Sequence, residues 1–298
     1  MTVKILGCNS ATPAYGRHPT AQVVTCKEQH FLVDCGEGTQ MRMQDFKVKR
    51  SKINHIFISH LHGDHYFGLI GFLNSLALYG REKEVHLYCP KQLQAIIEIQ
   101  LFHELSYKLH FHYLNFGTDE IIYDSDSVQV KSFPVYHSIE TWGFLFTEKE
   151  RKRIILPEEV RHFEIPKYFY SRLSAGKDYE QKDGTIVKNE WVTKAGKKPS
   201  TYAYTADTAP HEKYAAIIQE ADLLYHEATY EEEHLQKAID RQHSTAKQAA
   251  QVAKKAKVSQ LLIGHYSSRY KELDNLLEEA KSVFDNSLLA EEGTEYEV

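Results

Sequence analysis

Three imidazoles and a carboxylate crowd into "SHLHGDHYFG" (Ser59–Gly68), where His60, His62, Asp64 and His65 fill four of six consecutive positions. The run follows an apolar, strand-like segment and precedes a helix-like one. In H-x-H-x-D-H the first two imidazoles fall on one side of an extended turn, and Asp64 and His65 turn the other way as the helix begins. One metal ion could take His60 and His62, and a neighbouring ion Asp64 and His65. Other strand-like runs also end in donors: His137, Asp207, the pair His226–Glu227, and His265. In sheet-based α/β proteins, active sites gather at the carboxyl ends of strands, where loops converge. With His137, Asp207 and His265 the set reaches seven nitrogen or oxygen donors without a thiolate, which suits zinc and admits manganese or iron. Asp207 is the natural bridge, because a carboxylate can divide its oxygens between two ions. Two ions roughly 3.5–4 Å apart would ionise a water near neutral pH and stabilise an in-line displacement. A single histidine after a strand is ordinarily a packed or solvent-facing side chain; the four-residue pattern gives the others their weight.

Positioning those groups takes alternating elements. "VKILG", "AQVVTC", "HFLVDC" and "KINHIFISH" read as strands, "HYFGLIGFLNSLALYG" as helix, "EVHLYCP" as strand and "KQLQAIIEIQLFHEL" as helix. Four further strands follow, "KLHFHYLNF", "DEIIYD", "SVQVKSFPVYH" and "TWGFLF". From about 151 to 200 the periodicity fades and Gly, Pro and Lys are scattered, as in an insertion. Strand–helix alternation then returns through "TYAYTAD", "ADLLYHEATY", "STAKQAAQVAKKAK" and "VSQLLIGHY" to "KELDNLLEEAKSVF", a covering helix, and "NSLLAEE". Early consecutive strands and late alternation fit stacked sheets covered by helices.

The 298 residues suit one large domain or two modest ones. A formal charge of −5 counts slightly against nucleic-acid binding by the body as a whole. The four cysteines show no CxxC spacing, no basic-then-apolar leader is present, and no run of about 18 apolar residues occurs. A reduced, cytoplasmic setting with no membrane partner is expected.

"HLHGDH" resembles the signature of the metallo-β-lactamase superfamily, and the wider pattern resembles the ribonuclease Z family of transfer-RNA 3′-processing endonucleases. "FLVDCGEGTQMRM", "SHLHGDHYFGLIGFL", "YHSIETWGF", "YTADT" and "GHYSSRY" are similar to that family's five motifs, and "HEATY" and "HSTAKQAA" to two elements typical of it. The resemblance implies an α/β fold built as a four-layer αββα sandwich, with 1–298 as a single domain. An inserted flexible arm at about 151–200 would protrude to clamp the transfer-RNA elbow. It implies two zinc ions per subunit, one on His60, His62 and His137 and the other on Asp64, His65 and His265, bridged by Asp207. Asp64 would accept the proton of the attacking water. Cleavage of precursor transfer RNA would leave a 3′-hydroxyl on the transfer RNA and a 5′-phosphate on the trailer, in an enzyme commonly homodimeric and with no DNA partner expected. The pattern departs at Ala206, where the family often has glycine before the bridging aspartate, and at "EIPKYFYSRLSAG", which lacks the Gly-Pro pair often seen at the start of the arm.

Asp34 closes a buried-looking strand; it could orient a ligand imidazole from behind, or cap the helix that follows. His243 precedes a helix that Ser244 or Thr245 can cap, and it is a candidate to protonate the leaving 3′-oxygen with Glu227 keeping the imidazole charged. From Lys167 to Lys198 eight basic residues, including Lys167, Arg172, Lys177 and Lys182, stand against four acidic ones. That net of +4 leaves about −9 on the rest. A basic extension on an acidic body makes sense if the extension grips a phosphate backbone. "KVKRSK" (Lys47–Lys52) is a second basic run, and "EEGTEYEV" reads as an exposed acidic end. The same site chemistry would serve a phosphodiesterase for small or cyclic substrates, which has no use for a basic arm. A non-catalytic RNA-binding member would not need all seven donors.

Overall fold

The computed structural model describes residues 1–101, 105–149, 152–196 and 198–298. The end of the expected helix at 102–104 and Lys197 of the basic run lie outside the described residues. The chain lays down β1 (Thr2–Gly7), β2 (Ala21–Cys26), β3 (Gln29–Val33), β4 (Ile53–Phe57), β5 (Val85–Cys89) and β6 (Leu109–Tyr113). It continues with β7 (Glu120–Asp124), β8 (Val128–Pro134) and β9 (Trp142–Glu148). Four two-residue strands follow: β10 (Ile154–Ile155), β11 (Tyr179–Glu180), β12 (Ile186–Val187) and β13 (Thr193–Lys194). The last five are β14 (Thr201–Tyr204), β15 (Leu223–Glu227), β16 (Gln260–Gly264), β17 (Ser287–Leu289) and β18 (Glu295–Glu297).

Two seven-stranded sheets result, in the orders β18-β1-β2-β3-β4-β5-β6 and β17-β16-β15-β14-β9-β8-β7. Strand alternation divides the side chains between two cores. Phe31, Phe57, Phe133, Trp142, Phe144 and Phe146 fill the space between the sheets. Ile56, Ile58, Leu87 and Cys89 face the other side of the first sheet, where Phe72, Leu73, Leu93 and Ile97 of helices Leu69–Leu78 and Gln92–Gln100 cover them. On the second sheet, Ala249, Ala250 and Ala253 of helix Ala246–Ala256 join the inter-sheet cluster's continuation. The fold is the mixed α/β sandwich that the alternation and the family resemblance both called for.

The acidic end keeps Glu291, Glu295 and Glu297 exposed, but it belongs to the first sheet: β18 pairs antiparallel with β1, with Val3 opposite Tyr296. Before it, the Glu292 carboxylate is met by Arg42 at 3.0 Å and by His18 at 3.2 Å. One apolar residue, Tyr296, between Glu295 and Glu297 hides a three-residue edge strand from any periodicity count.

Glu148–Pro199 is a separate compact unit. It has a small core of its own, Val160, Ile165, Leu173, Val187 and Val192, drawn from short helices and hairpins. Its entry and exit are neighbours in the second sheet, since Thr147 on β9 lies opposite Thr201 on β14.

Candidate metal centre

The H-x-H-x-D-H turn is held by close backbone packing. His65 O accepts from Cys35 N–H at 2.7 Å and Cys35 O accepts from Gly68 N–H at 2.9 Å. A Cβ on Gly68 would stand 2.1 Å from Gly36 O, and one on Gly36 would stand 2.4 Å from Asp64 O, so both positions demand glycine. The turn thus presses onto the "CGEG" segment, which begins right after Asp34.

All seven candidate donors converge. His62 Nδ1 lies 3.1 Å from both His60 Nε2 and His137 Nε2. Asp207 Oδ2 faces this trio, 3.7 Å from His60 Nε2 and 3.9 Å from His137 Nε2. Asp207 Oδ1 faces a second trio, 3.3 Å from His65 Nε2 and 3.2 Å from His265 Nε2. Asp64 Oδ2 completes that side at 3.3 Å from His265 Nε2 and 3.8 Å from His65 Nε2. Tetrahedral coordination at zinc–ligand bonds of about 2.0–2.1 Å sets donors about 3.3 Å apart, close to these separations. Asp207 Oδ1 is enclosed without an aligned hydrogen bond, an orphaned acceptor that a cation would satisfy. The residues therefore fit a pair of metal ions sharing one carboxylate.

The imidazoles are oriented from behind. His65 Nδ1 meets Asp34 Oδ2 at 2.7 Å, His265 Nδ1 meets Thr229 Oγ1 at 2.9 Å and His137 Nδ1 meets the Gln242 carbonyl at 3.0 Å. His60 Nδ1 lies 3.0 Å from Ser59 Oγ. Each partner leaves Nε2 to point into the centre. Asp34 does not cap a helix: Gly38 holds that position for helix Thr39–Asp45. Its buried carboxylate instead accepts from Ser59 N–H at 2.7 Å, Ser59 Oγ at 2.8 Å and Tyr204 Oη at 2.5 Å, besides meeting His65.

Burial, aided by the neighbouring imidazoles, lowers His60 well below its ordinary range and lowers His62 as well, leaving neutral donors. Burial also opposes charge on His65, but Asp207, Asp34 and Asp64 outweigh it and hold that imidazole well above its ordinary range. Burial would raise Asp207, yet His265, His65 and His60 hold it well below the usual carboxylate range.

Three residues at this rim leave their strands in the left-handed region: Asp34 (φ 55°), Ala206 (φ 52°) and His265 (φ 59°). Position 206 thus carries a backbone demand that glycine would meet with least strain, and not only a need for close approach. Asp207 and His137 also stand beyond their strands, which end at Tyr204 and Pro134.

Beside the donors lies a second polar group. His243 Nδ1 is 2.7 Å from Glu227 Oε1. Glu227 is fully buried and accepts from Thr208 N–H at 2.7 Å, Thr229 Oγ1 at 2.5 Å and Ser244 N–H at 3.1 Å. Burial works against a charged imidazole at His243, but Glu227 prevails and pushes it up to about 9. Glu227, His243 and His265 also sit within ligand reach of one another, but the Glu227 oxygens are already taken by donors. Thr245, not Ser244, caps helix Ala246–Ala256, with Gln248 completing a capping box that is worth about 1 kcal/mol. That fixes the loop carrying His243. A cleft of about 470 Å³ opens over the centre, lined by His62, Asp64, His137, Asp207, Arg241 and His243 among others.

His226 is not part of the group: it bonds Tyr214 Oη at 2.9 Å, on the face of β15 opposite to Glu227. Lys167, Arg172, Lys177 and Lys182 belong to the Glu148–Pro199 unit, where each is exposed. Sequence reasoning passed over Ser59, Tyr204, Thr208, Thr229 and the Gln242 carbonyl. Ser59, Tyr204, Thr208, Thr229 and Ser244 stand inside the quoted "SHLHGDHYFG", "YTADT", "HEATY" and "HSTA" stretches, so their motifs signalled them; the Gln242 carbonyl carried no signal.

The chain is similar to known proteins along nearly its whole length. A family model described as "Anti-Pycsar protein Apyc1" matches residues 1–149. That half carries His60 to His65 and His137, while Asp207, Glu227, His243 and His265 lie beyond it. "Ribonuclease Z" of Bacteroides fragilis is 41% identical over 291 residues, covering 97% of this chain and 96% of its own length. "Ribonuclease Z" of Phocaeicola vulgatus is 42% identical over 293 residues, covering 97% and 95%. Among solved structures, human tRNase Z, short form, superposes with a TM-score of 0.72 at 26% identity, over 100% of this chain and 99% of that one.

Proposed function

The chain belongs to the ribonuclease Z family, its first 149 residues falling also within the family described as Anti-Pycsar protein Apyc1, and we propose that it removes the 3′ trailer from precursor transfer RNA. It is a metal-dependent endoribonuclease of that family, and the cut would leave a 3′-hydroxyl on the transfer RNA and a 5′-phosphate on the trailer. The observation that carries the reading is Asp207, whose two oxygens face two separate imidazole groups at 3.2–3.9 Å. His60, His62 and His137 would hold one zinc ion and Asp64, His65 and His265 the other, with manganese or iron as substitutes. When bound, the pair supplies Lewis acidity that ionises water and neutralises charge building on the phosphate.

The chain's own groups do the rest. Asp64, fixed by the Ala11 N–H at 2.7 Å, accepts a proton from the attacking water. His243, kept protonated by Glu227, donates a proton to the 3′-oxygen as its bond to phosphorus breaks. Asp34 holds His65 in one tautomer and one orientation. The exposed Lys167, Arg172, Lys177 and Lys182 would meet phosphates of the transfer RNA, with the Glu148–Pro199 unit serving as the arm. The active form would be a homodimer in the cytoplasm; the four cysteines are buried thiols outside any disulfide, which agrees with a reducing compartment. No helix among the described residues is long and apolar enough to cross a membrane.

The test is incubation of the purified protein with a 3′-extended precursor, with and without chelator. Metal-dependent release of an intact trailer bearing a 5′-phosphate is expected. Hydrolysis of small phosphodiesters with the precursor left whole would favour the small-substrate alternative.

A further inference from the structure

A second group of imidazoles stands apart from the catalytic centre, on the inner face of the first sheet. The ladder sets His55 beside His86 and His86 beside His110, with His112 two residues further along β6. The rings stack, with centroids 5.0 Å apart for His55–His86, 4.8 Å for His86–His110 and 5.3 Å for His86–His112. Neighbouring inner-face positions on these strands are apolar, as at Phe31, Phe57 and Tyr88. Glu84, at the entry to β5, places Oε2 3.2 Å from His110 Nε2 and 3.9 Å from His86 Nε2. The three donor atoms all lie within 4.8 Å of one another.

We propose that Glu84, His86 and His110 form a third metal site, separate from the catalytic pair, that takes a divalent transition-metal ion of the zinc type. Two imidazoles and a carboxylate are a donor set that zinc accepts, with the fourth position left to water at this partly open edge. Two independent features point to a ligand. His110 Nε2 is enclosed yet makes no aligned hydrogen bond. His86 Nδ1 lies 3.0 Å from His112 Nε2, so with the shared proton on His86 Nδ1 the His86 Nε2 lone pair faces Glu84, the tautomer a metal there would select. Burial also lowers His86 and His112 below the ordinary imidazole range, toward the neutral form that can bind metal. The ion would clamp β6, the edge strand of its sheet, to β5 and to the turn before it. Such a clamp stabilises the folded chain by mass action and guards an exposed edge.

The test counts metal, not turnover. The full-length protein is saturated with Zn²⁺, freed of excess by gel filtration and assayed by atomic emission, beside Glu84→Gln and His110→Ala. Each variant is expected to hold one zinc fewer per chain than the wild type, with hydrolysis of a small phosphodiester unchanged. Added zinc should also raise the wild-type unfolding midpoint by more than it raises that of either variant. Glu84→Gln keeps shape and all imidazoles, so it reports even if His110→Ala unfolds. Equal zinc counts in wild type and Glu84→Gln would overturn the proposal. The readout is a difference, so a failure of the two-ion catalytic reading would shift both counts and leave it intact.

Discussion

Replacing His243 with alanine separates what the Glu227–His243 pair does for the fold from what it does for the reaction. Glu227 is fully buried, and His243 is the cationic group it touches. Removing the imidazole leaves a carboxylate held only by the Thr208, Thr229 and Ser244 donors. A rise in the imidazole pKa from 6.5 to about 9 corresponds to about 3 kcal/mol of preference for the charged pair. That falls at the lower end of the roughly 3–5 kcal/mol measured when one member of a buried pair is deleted. Because the folded-state value is the raised one, the stabilisation is complete below pH 6.5, declines as pH climbs towards 9 and is gone above it. Urea unfolding of wild type and His243→Ala in chelator should show a gap of about 3 kcal/mol near neutral-to-acid pH that closes on the alkaline side. With metal restored, precursor cleavage should fall about 10²–10⁴-fold at unchanged zinc content. A small diester with a phenolate leaving group, which departs without a proton, should lose little. A stability gap that ignores pH, or equal losses on both substrates, would refute the assigned role.

Three further outcomes are expected. Asp34→Asn puts an amide among the donors Ser59 and Tyr204 and loosens the His65 ring, so zinc affinity should fall about 10–100-fold in a competition titration with a fluorescent chelator. His65 is held in the protonated form by three carboxylates, so metal loading near pH 7 should release a proton; calorimetry in buffers of different ionisation enthalpy would read that release, and none would contradict the geometry. Exchanging 149–199 for a short turn joins strands already paired at Thr147 and Thr201. The shortened protein should hydrolyse small diesters normally but bind precursor weakly and with a flatter dependence on salt; undiminished precursor binding would remove the arm from the account.

The sequence made the donors legible because their chemistry is local and their types are rare: "HLHGDH" announces itself, and strand-end His137, Asp207 and His265 follow once strands are recognised. What stayed hidden was supplied by contacts distant along the chain. Tyr204 reaches Asp34 across 170 residues, and His137 leans on a carbonyl at Gln242, 105 residues away. No spacing rule records a backbone oxygen. β18 escaped for a different reason, since its pairing with β1 comes from backbone hydrogen bonds that its polar side chains do not betray. The Glu148–Pro199 stretch looked formless because its core rests on five small contributions spread over 33 residues, from Val160 to Val192, too sparse for a periodic signal.

The left-handed turns at Asp34, Ala206 and His265 carry one more implication. Each non-glycine residue in that conformation sits about 1–2 kcal/mol above its relaxed alternative, so the rest of the fold keeps these joints bent. At two of the three the side chain is indispensable, and relief would abolish the chemistry it supports. Of these three, Ala206 can be eased without loss of a working group. A lineage or a laboratory selecting for hardiness has a vacant lever at this rim in the residue beside the shared carboxylate.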